Sequence, residues 1–261
     1  MRTIKERLEA RSPLLGLSAH YGTPAIIETI GPHWDWVWID IQHGRIDEKD
    51  VEHMVMACDL ADAAAVVRVA SNEAGAIGRA LDTDCAGVIV PQVDTPEEAR
   101  QAVIAAKFPP IGDRSYGGRR VIDRGGREYV ENANADRMLI VQIESPQAVE
   151  NADAIAAIEG VDALFLGPDD LTMRRGGPSM EGMAAADIQA DMDAVTSACR
   201  QHGKVAVTVA FSEEKVVACA ESGHAMIVAS SDVVFLRNAS RPLSESLRKA
   251  LEQTGAPEPP A

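Results

Sequence analysis

Short apolar runs alternate with amphipathic stretches along almost the whole chain. The runs are four to six residues long and consist mainly of Val, Ile, Leu and Ala. Continuous apolar runs of this length are typical of strands that are buried on both faces of a parallel sheet. The pattern predicts eight strands: Leu14–Ser18, Val37–Ile41, Ala64–Val69, Gly87–Val90, Met138–Ile143, Ala163–Leu166, Val205–Val209 and Ala225–Val228.

A helix is predicted after each strand, and several helices begin with a recognisable signal. Thr95-Pro96-Glu97-Glu98 is a capping box with proline at the first helical position. The other helical segments are Met1–Arg11, a helix opened by Thr23-Pro24, Asp47–Leu60, Glu73–Leu81, a helix opened by Ser145-Pro146, Ala184–His202, Ser212–Glu221, Val233–Leu236 and Leu243–Gln253.

Eight strand–helix units in 261 residues predict an α/β fold, a single TIM (β/α)8 barrel over residues 1–254, followed by a flexible tail over 255–261. The alternative is a doubly wound sheet. That fold usually has a glycine-rich phosphate loop after its first strand, and none follows Leu17-Ser18-Ala19-His20.

One segment, from Phe108 to Arg137, interrupts the alternation. It is rich in glycine and contains six arginines, and it is longer than an ordinary connection. One interpretation is a solvated surface loop. The other is a segment that reaches the barrel mouth or a neighbouring subunit and offers Arg114 or Arg119 to an anion.

Composition narrows the classes of partner that the protein is expected to bind. The formal net charge of −15 argues against nucleic acid and anionic membranes, because both bind clustered Lys and Arg. The four cysteines are scattered and form no metal-binding pair, so we expect buried, reduced thiols in a cytoplasmic protein. The first eleven residues do not have the character of a signal peptide, and no apolar run is long enough to span a membrane.

Polar residues stand at the carboxyl ends of the predicted strands, where the active site of a TIM barrel lies. We therefore expect the following side chains to converge on one opening: His20, Asp40, His43, Arg68, Gln142, Glu144, Asp169 and Asp170.

Glu144 and Asp170 each follow an apolar strand, and a buried carboxylate is costly unless a cation or a donor compensates it. Taken singly, Glu144 could cap the next helix and Asp170 could close a turn. Taken together, two carboxylates without thiolates or paired histidines suit Mg²⁺ or Mn²⁺, with Co²⁺ or Zn²⁺ as substitutes.

Arg68 and His43 are the other candidates for chemistry. Arg68 lies in the apolar strand Ala64–Val69, where it would either form a buried ion pair with Asp40 or Asp82 or bind developing negative charge on a substrate oxygen. His43 would be a capping residue or a general base oriented by Asp40 or Asp82. None of the six lysines follows a predicted strand, which disfavours a Schiff-base mechanism.

Taken together, these motifs resemble the HpcH/HpaI family of metal-dependent, class II aldolases. The resemblance extends from about Leu14 to Arg248, and five segments carry it: 34–43, 66–69, 87–91, 141–144 and 167–171. The chain departs from the family at Ile41-Gln42-His43, where Gly-Glu-His or a similar triplet is common, and at Asp169, where Ala or Asn is common.

The resemblance implies roles for individual residues. Glu144 and Asp170 would hold a divalent ion, Arg68 would support an enolate oxygen, and His43 with Asp40 would move a proton through water. Gln142 would line the site, amides around Gly167, Asp169 and Asp170 would receive the substrate carboxylate, and His20 is a candidate for contacting the aldehyde. Asp82 would approach a neighbouring subunit's site, and the last helix would be exchanged between protomers of a hexamer, a trimer of dimers.

The function expected from this resemblance is reversible cleavage of 4-hydroxy-2-oxo acids to pyruvate or hydroxypyruvate plus an aldehyde, in the catabolism of aromatic compounds or sugar acids. An oxaloacetate decarboxylase or acyl-CoA lyase in the same barrel is the first alternative. A barrel that binds small acids without catalysis is the second.

Overall fold

The computed structural model describes residues 3–177 and 188–253. Within these residues eight parallel strands form a closed barrel in sequence order. Each strand pairs with its neighbours along the chain, and the first pairs with the last. The strands are β1 (Leu14–Ala19), β2 (Trp36–Asp40), β3 (Ala64–Arg68), β4 (Gly87–Val90), β5 (Met138–Ile143), β6 (Ala163–Leu166), β7 (Val205–Val209) and β8 (Met226–Ser231).

The helices of the described residues lie between and around these strands. They are α1 (Ile4–Ala10), α2 (Pro24–Ile30), α3 (Glu48–Leu60), α4 (Ala74–Asp82), α5 (Pro96–Ala106), α6 (Arg119–Gly125), α7 (Val130–Asp136), α8 (Pro146–Glu150), α9 (Ala152–Ala156), α10 (Pro168–Arg174), α11 (Ile188–His202), α12 (Glu213–Ser222) and α13 (Asp232–Gln253). Short 3-10 turns cover Gly31–His33 and Arg127–Tyr129.

The strands are buried on both faces, and the alternation of side chains divides the core into two layers. On β2, Trp36 and Trp38 point into the barrel, whereas Val37 and Ile39 face the surrounding helices. Trp36 fills the interior so closely that a Cβ on Gly16 would lie 2.3 Å from its ring. Because few residues are aromatic, aliphatic side chains and alanine supply most of the packing.

The predicted TIM barrel is confirmed, with strand bounds within three residues of those expected. The predicted break in the last helical region is wrong, because α13 runs continuously from Asp232 to Gln253 with Pro242 inside it. Helix α10 was not predicted at all. The expected helical residues 184–187 and the expected tail over 255–261 lie outside the described residues.

The segment 108–137 is not an irregular loop, since it contains α6, α7 and a 3-10 turn. Its arginines bind acidic groups of the barrel's helices and connections. Arg120 and Arg124 contact Asp59, and Arg137 contacts Asp84. These ion pairs fix the segment along α3 and the turn before β4.

Neither arginine proposed as an anion ligand is free for that role within the chain. Arg114 is buried, pairs with Asp82 at 2.9 Å and lies over the ring of Phe108. Arg119 is exposed and pairs with Asp123 one helical turn away. The first pair therefore holds the start of the segment against α4, and the second is a surface contact.

A buried lysine, Lys107, joins the same segment to the amino-terminal end of the barrel strands. Lys107 Nζ donates to the carbonyl oxygens of Asn134 (3.0 Å) and Arg137 (2.8 Å) and to Asp162 Oδ2 (2.6 Å). Burial lowers the pKa of Lys107, and the Asp162 carboxylate opposes that effect. Lys5, which is 42% exposed, contacts the other oxygen of Asp162 at 2.9 Å.

The four cysteines are free and buried, as expected, and burial raises the pKa of Cys199 to about 12. Among the described helices, none combines the length and apolar character needed to cross a bilayer.

We predict that Lys107→Met lowers the free energy of unfolding by about 3–5 kcal/mol, because it leaves buried acceptors without a donor. Lys5→Met is the matched control, since it removes a partly exposed amine from the same carboxylate. We expect it to cost less than about 1 kcal/mol. Urea unfolding measures both variants, and equal losses would contradict the assignment of Lys107 as the essential partner.

Candidate active site

The inward-facing positions of four strands change from apolar to polar at their carboxyl ends. On β3 and β5 the inward series are Ala64, Val66, Arg68 and Met138, Ile140, Gln142. Ser18 and Asp40 occupy the corresponding places on β1 and β2. All four polar side chains are at least 95% buried, so this last layer of the barrel must satisfy its own hydrogen bonds.

Asp40 and Arg68 form the centre of this layer. They face each other on paired strands, and two hydrogen bonds join them: Nε to Oδ1 at 2.9 Å and Nη2 to Oδ2 at 2.7 Å. The guanidinium also lies over Trp38, 4.4 Å from the ring centroid. Burial alone would raise the pKa of Asp40, but the hydrogen bonds from His20 and Arg68 outweigh it and hold the pKa well below its usual range.

The remaining edge of Arg68 faces the next part of the mouth. Its Nη1 lies 3.5 Å from Gln142 Oε1. Beyond Gln142 lies Gly167, where a Cβ would come within 3.0 Å of both Gln142 Nε2 and Glu144 Oε2. A side chain at position 167 would therefore press on Glu144, which explains glycine there.

The histidine that contacts Asp40 through its ring is His20, not His43. His20 Nδ1 lies 3.3 Å from Asp40 Oδ2, and Nε2 lies 3.2 Å from Ser18 Oγ. His43 is exposed, and Asp40 accepts its backbone N–H at 3.3 Å. The prediction that Asp40 orients the ring of His43 is therefore wrong within this chain, because the carboxylate shapes the backbone of that loop instead.

Glu144 is 1% exposed and lies directly beyond the end of β5. Burial raises its pKa, the negative charge of Asp170 raises it further, and the N–H of Gln92 (2.8 Å from Oε1) opposes both effects. Asp170 lies in the first turn of α10. Helix α8 is capped by Ser145 and not by Glu144, so the capping alternative for Glu144 is wrong.

The buried carboxylate of Glu144, whose pKa is raised by burial and by the neighbouring charge of Asp170, fits a divalent cation that would compensate both charges. The described residues contain no cluster of three or more His, Cys, Asp or Glu side chains around one point. Glu144 and Asp170 would accordingly supply two ligands, and water or substrate oxygens would complete the shell, as is common for Mg²⁺.

Three other predicted residues take different positions. Asp169 keeps much of its surface exposed to solvent. The part of it that is buried and the charge of Asp170 both raise its pKa. The N–H of Gly167 donates to Ile143 O at 2.9 Å, so this amide is not available to a substrate. Asp82 ends α4 near the amino-terminal side of the barrel and pairs with Arg114, so it does not join the mouth of its own chain.

Two residues that hold this site in place were not predicted from the sequence. Gln92 adopts a left-handed backbone (φ 56°) to donate its N–H to Glu144. Asp232, which is 1% exposed, accepts backbone N–H groups of the loop that carries His20. Asp232 stands four residues after the predicted strand Ala225–Val228, as Asp170 does after Ala163–Leu166, and this position was a signal that could have identified it. Gln92 gave no signal.

Comparison with known proteins identifies a family. The model of the HpcH/HpaI aldolase/citrate lyase family matches residues 21–239. A crystal structure of a protein of this family from Burkholderia cenocepacia J2315 superposes with a TM-score of 0.85 at 32% identity, over 94% of this chain and 98% of that one.

Two named relatives are similar over nearly their whole length. The 2-dehydro-3,6-dideoxy-6-sulfogluconate aldolase of Pseudomonas putida is 34% identical, over 92% of this chain and 95% of its own. A 5-keto-4-deoxy-D-glucarate aldolase of Escherichia coli is 32% identical, over 94% of this chain and 96% of its own.

The raised pKa of Glu144 predicts how Glu144→Gln changes the thermal stability of the protein. A carboxyl whose pKa is higher in the folded than in the unfolded state destabilises the fold as the pH rises through the folded-state value. At pH 8 without divalent ions, the variant should therefore melt at a higher temperature than the wild type. Added Mg²⁺ or Mn²⁺ should stabilise only the wild type, by about 2.7 kcal/mol at a free ion concentration of 100 Kd.

The matched control is Glu150→Gln, which removes an exposed carboxylate from the helix that follows Glu144. It should melt and respond to ions as the wild type does. The assignment is contradicted if Glu144→Gln gains the same stabilisation from the ion.

Proposed function

Because the chain belongs to the HpcH/HpaI aldolase/citrate lyase family and is a carbon–carbon lyase, we propose that it is a divalent-metal-dependent aldolase. Its reaction would be the reversible cleavage of a 4-hydroxy-2-oxo acid into pyruvate or hydroxypyruvate and an aldehyde. The observation that carries the proposal is the buried Glu144, whose charge has no lysine or arginine ion pair among the described residues and is opposed by Asp170.

Glu144 and Asp170 would hold the ion, Mg²⁺ or Mn²⁺ by preference. When bound there, such an ion would withdraw electrons from the keto group of a 2-oxo acid. Arg68 can add to that effect, because two of its nitrogens are committed to Asp40 while Nη1 remains directed towards Gln142. The fixed guanidinium would stabilise negative charge as it develops on the keto oxygen.

The substrate carboxylate would bind beside Glu144, at the start of α10. The N–H groups of Asp169 and Asp170 lie in the first turn of that helix, where they have no partner within the helix. The side chain of Gln142 would line the same end of the pocket. These groups would set the orientation of the acid and leave C3 and C4 towards β1 and β2.

In the cleavage direction, the 4-hydroxyl loses its proton and becomes the aldehyde oxygen as the C3–C4 bond breaks. The bonding electrons move to C3 and C2, so that charge accumulates on the keto oxygen. C3 then takes a proton and becomes the methyl group of pyruvate. We assign removal of the hydroxyl proton to His43, directly or through water, and contact with the aldehyde portion to His20.

The relatives support a narrower substrate class. The names of both relatives describe aldolases whose substrates are deoxy sugar acids. By analogy, we propose that this enzyme acts in the breakdown of sugar acids.

We also propose that the protein assembles into a hexamer, a trimer of dimers, through α13. This helix is exposed over nearly its whole length. Its exposed apolar side chains are consecutive at Val234, Phe235 and Leu236 and then recur at Leu243, Leu247 and Leu251. Such a stripe on a 22-residue helix is costly in water. We expect the helix to be exchanged between protomers and Asp82 to approach a neighbour's site.

The proposed function is tested by following the methyl protons of pyruvate in D₂O and the cleavage of a panel of 4-hydroxy-2-oxo acids. We expect both reactions to stop after treatment with EDTA and to return with Mg²⁺ or Mn²⁺. Arg68→Lys should slow both, by about 10²–10³-fold on the scale of a lost oxyanion donor. Arg79→Lys, which changes an exposed ion pair with Glu48, should slow neither.

Full cleavage by the metal-free enzyme would overturn the proposal. Decarboxylation of oxaloacetate with no cleavage of any hydroxy acid would favour the decarboxylase alternative.

A charge placed on α13 tests the assembly. We predict that Leu247→Glu converts the hexamer to smaller species in light scattering, because the charge would be buried against another protomer. Lys249→Glu, a charge change two residues along the same exposed helix, should leave the mass unchanged. A wild type that remains a monomer at micromolar concentration would contradict the assembly.

A further inference from the structure

Asp232 is a buried carboxylate at the junction between β8 and α13. It is 1% exposed, and no lysine or arginine among the described residues forms an ion pair with it. Its partners are backbone N–H groups. Oδ1 accepts from Val233 at 2.7 Å and from His20 at 3.1 Å, and Oδ2 accepts from His20 at 3.0 Å and from Tyr21 at 3.0 Å.

The other side of the same loop is also fixed. The carbonyl oxygen of His20 accepts the N–H of Arg45 at 2.6 Å, which joins the β1–α2 loop to the β2–α3 loop. The ring of His20 then spans from Asp40 to Ser18, and Ser18 Oγ lies 3.3 Å from Ser230 O on β8. His20 is therefore held through both its backbone and its ring.

The buried charge of Asp232 is more than the start of α13 requires. Capping that helix needs one acceptor, and the hydroxyl of Ser231 already accepts the N–H of Val234 at 3.1 Å. A carboxylate can accept several N–H bonds at once, and these are stronger than bonds between neutral groups. In either orientation, an asparagine in its place would point its NH₂ group at the N–H of His20 and, in addition, at the N–H of Tyr21 or of Val233.

We infer that Asp232 is a positioning residue for the aldehyde half of the reaction, because it fixes the loop that aims His20 into the barrel mouth. The inference rests on the proposed aldolase function. It adds that recognition of the aldehyde depends on a side chain of β8–α13 that itself touches no substrate. Handling of the 2-oxo acid, which involves Arg68, Gln142, Glu144 and Asp170, is independent of it.

The test compares two half-reactions in Asp232→Asn. Exchange of the pyruvate methyl protons in D₂O needs only the 2-oxo acid end of the site and should stay within about twofold of the wild type. Aldol cleavage should fall roughly 10–100-fold in kcat/KM, the range that a displaced contacting group produces. The double variant with His20→Ala should be no slower in cleavage than His20→Ala alone, because both changes remove the same contact.

Ser231→Ala is the matched control. It weakens the start of α13 without touching the loop of His20, so it should leave both half-reactions unchanged. Parallel losses of exchange and cleavage in Asp232→Asn, or additive losses in the double variant, would overturn the inference. Cleavage equal to that of the wild type would also overturn it.

The experiment also distinguishes failure of the proposed function from failure of the variant to fold. A wild type that exchanges no pyruvate protons with any divalent ion overturns the proposed function, and the inference with it. If Asp232→Asn does not fold, Asp232→Ser replaces it, since the hydroxyl keeps an acceptor for the helix start but cannot accept from His20 and Tyr21 together. The rates of pyruvate proton exchange and of aldol cleavage are then compared in Asp232→Ser in the same way.

Discussion

The mouth of this barrel depends on the pairing of Asp40 with Arg68. Both side chains are inside the last layer of the barrel, where an unpaired charge would cost several kcal/mol. Their two hydrogen bonds leave one nitrogen of Arg68 directed towards Gln142, and one oxygen of Asp40 beside His20. A single ion pair therefore fixes the groups proposed for the 2-oxo acid on one side and for the aldehyde on the other.

The two buried acids of the mouth have opposite electrostatic environments. Hydrogen bonds from His20 and Arg68 outweigh burial at Asp40 and lower its pKa, whereas burial and the charge of Asp170 raise the pKa of Glu144. Asp40 is therefore satisfied by the protein alone and serves to orient its neighbours. Glu144 is not, and this contrast explains why the chain would need a divalent ion at one carboxylate and not at the other.

The barrel was predictable because its signal is local and repeated. A buried parallel strand must be apolar on both faces, and β4 and β6 accordingly stand in the sequence as continuous apolar runs. Helix α10 escaped prediction because it is seven residues long and begins in Pro168-Asp169-Asp170, a sequence equally typical of a turn. The helices within 108–137 escaped because glycines flank α6 and because their stability comes from ion pairs with distant residues such as Asp59 and Asp84.

The site was predictable in its members and less so in its contacts. The rule that strand ends carry the chemistry gathered Asp40, Arg68, Gln142 and Glu144 correctly around one opening. It could not decide which histidine meets Asp40, because His20 and His43 follow neighbouring strands and only the loop geometry separates them. The position of Asp232 after the eighth predicted strand marks it as a candidate, but its partners are backbone groups, so no side-chain pattern reveals what it holds.

The most direct test of the central claim is anomalous X-ray diffraction from crystals grown with Mn²⁺ and pyruvate. The account predicts one manganese peak in the barrel mouth, bound by a carboxylate oxygen of Glu144 and one of Asp170 at about 2.0–2.2 Å, distances usual for small hard cations. A fully occupied peak elsewhere, or a mouth that contains pyruvate with these two carboxylates apart and no metal between them, would contradict it.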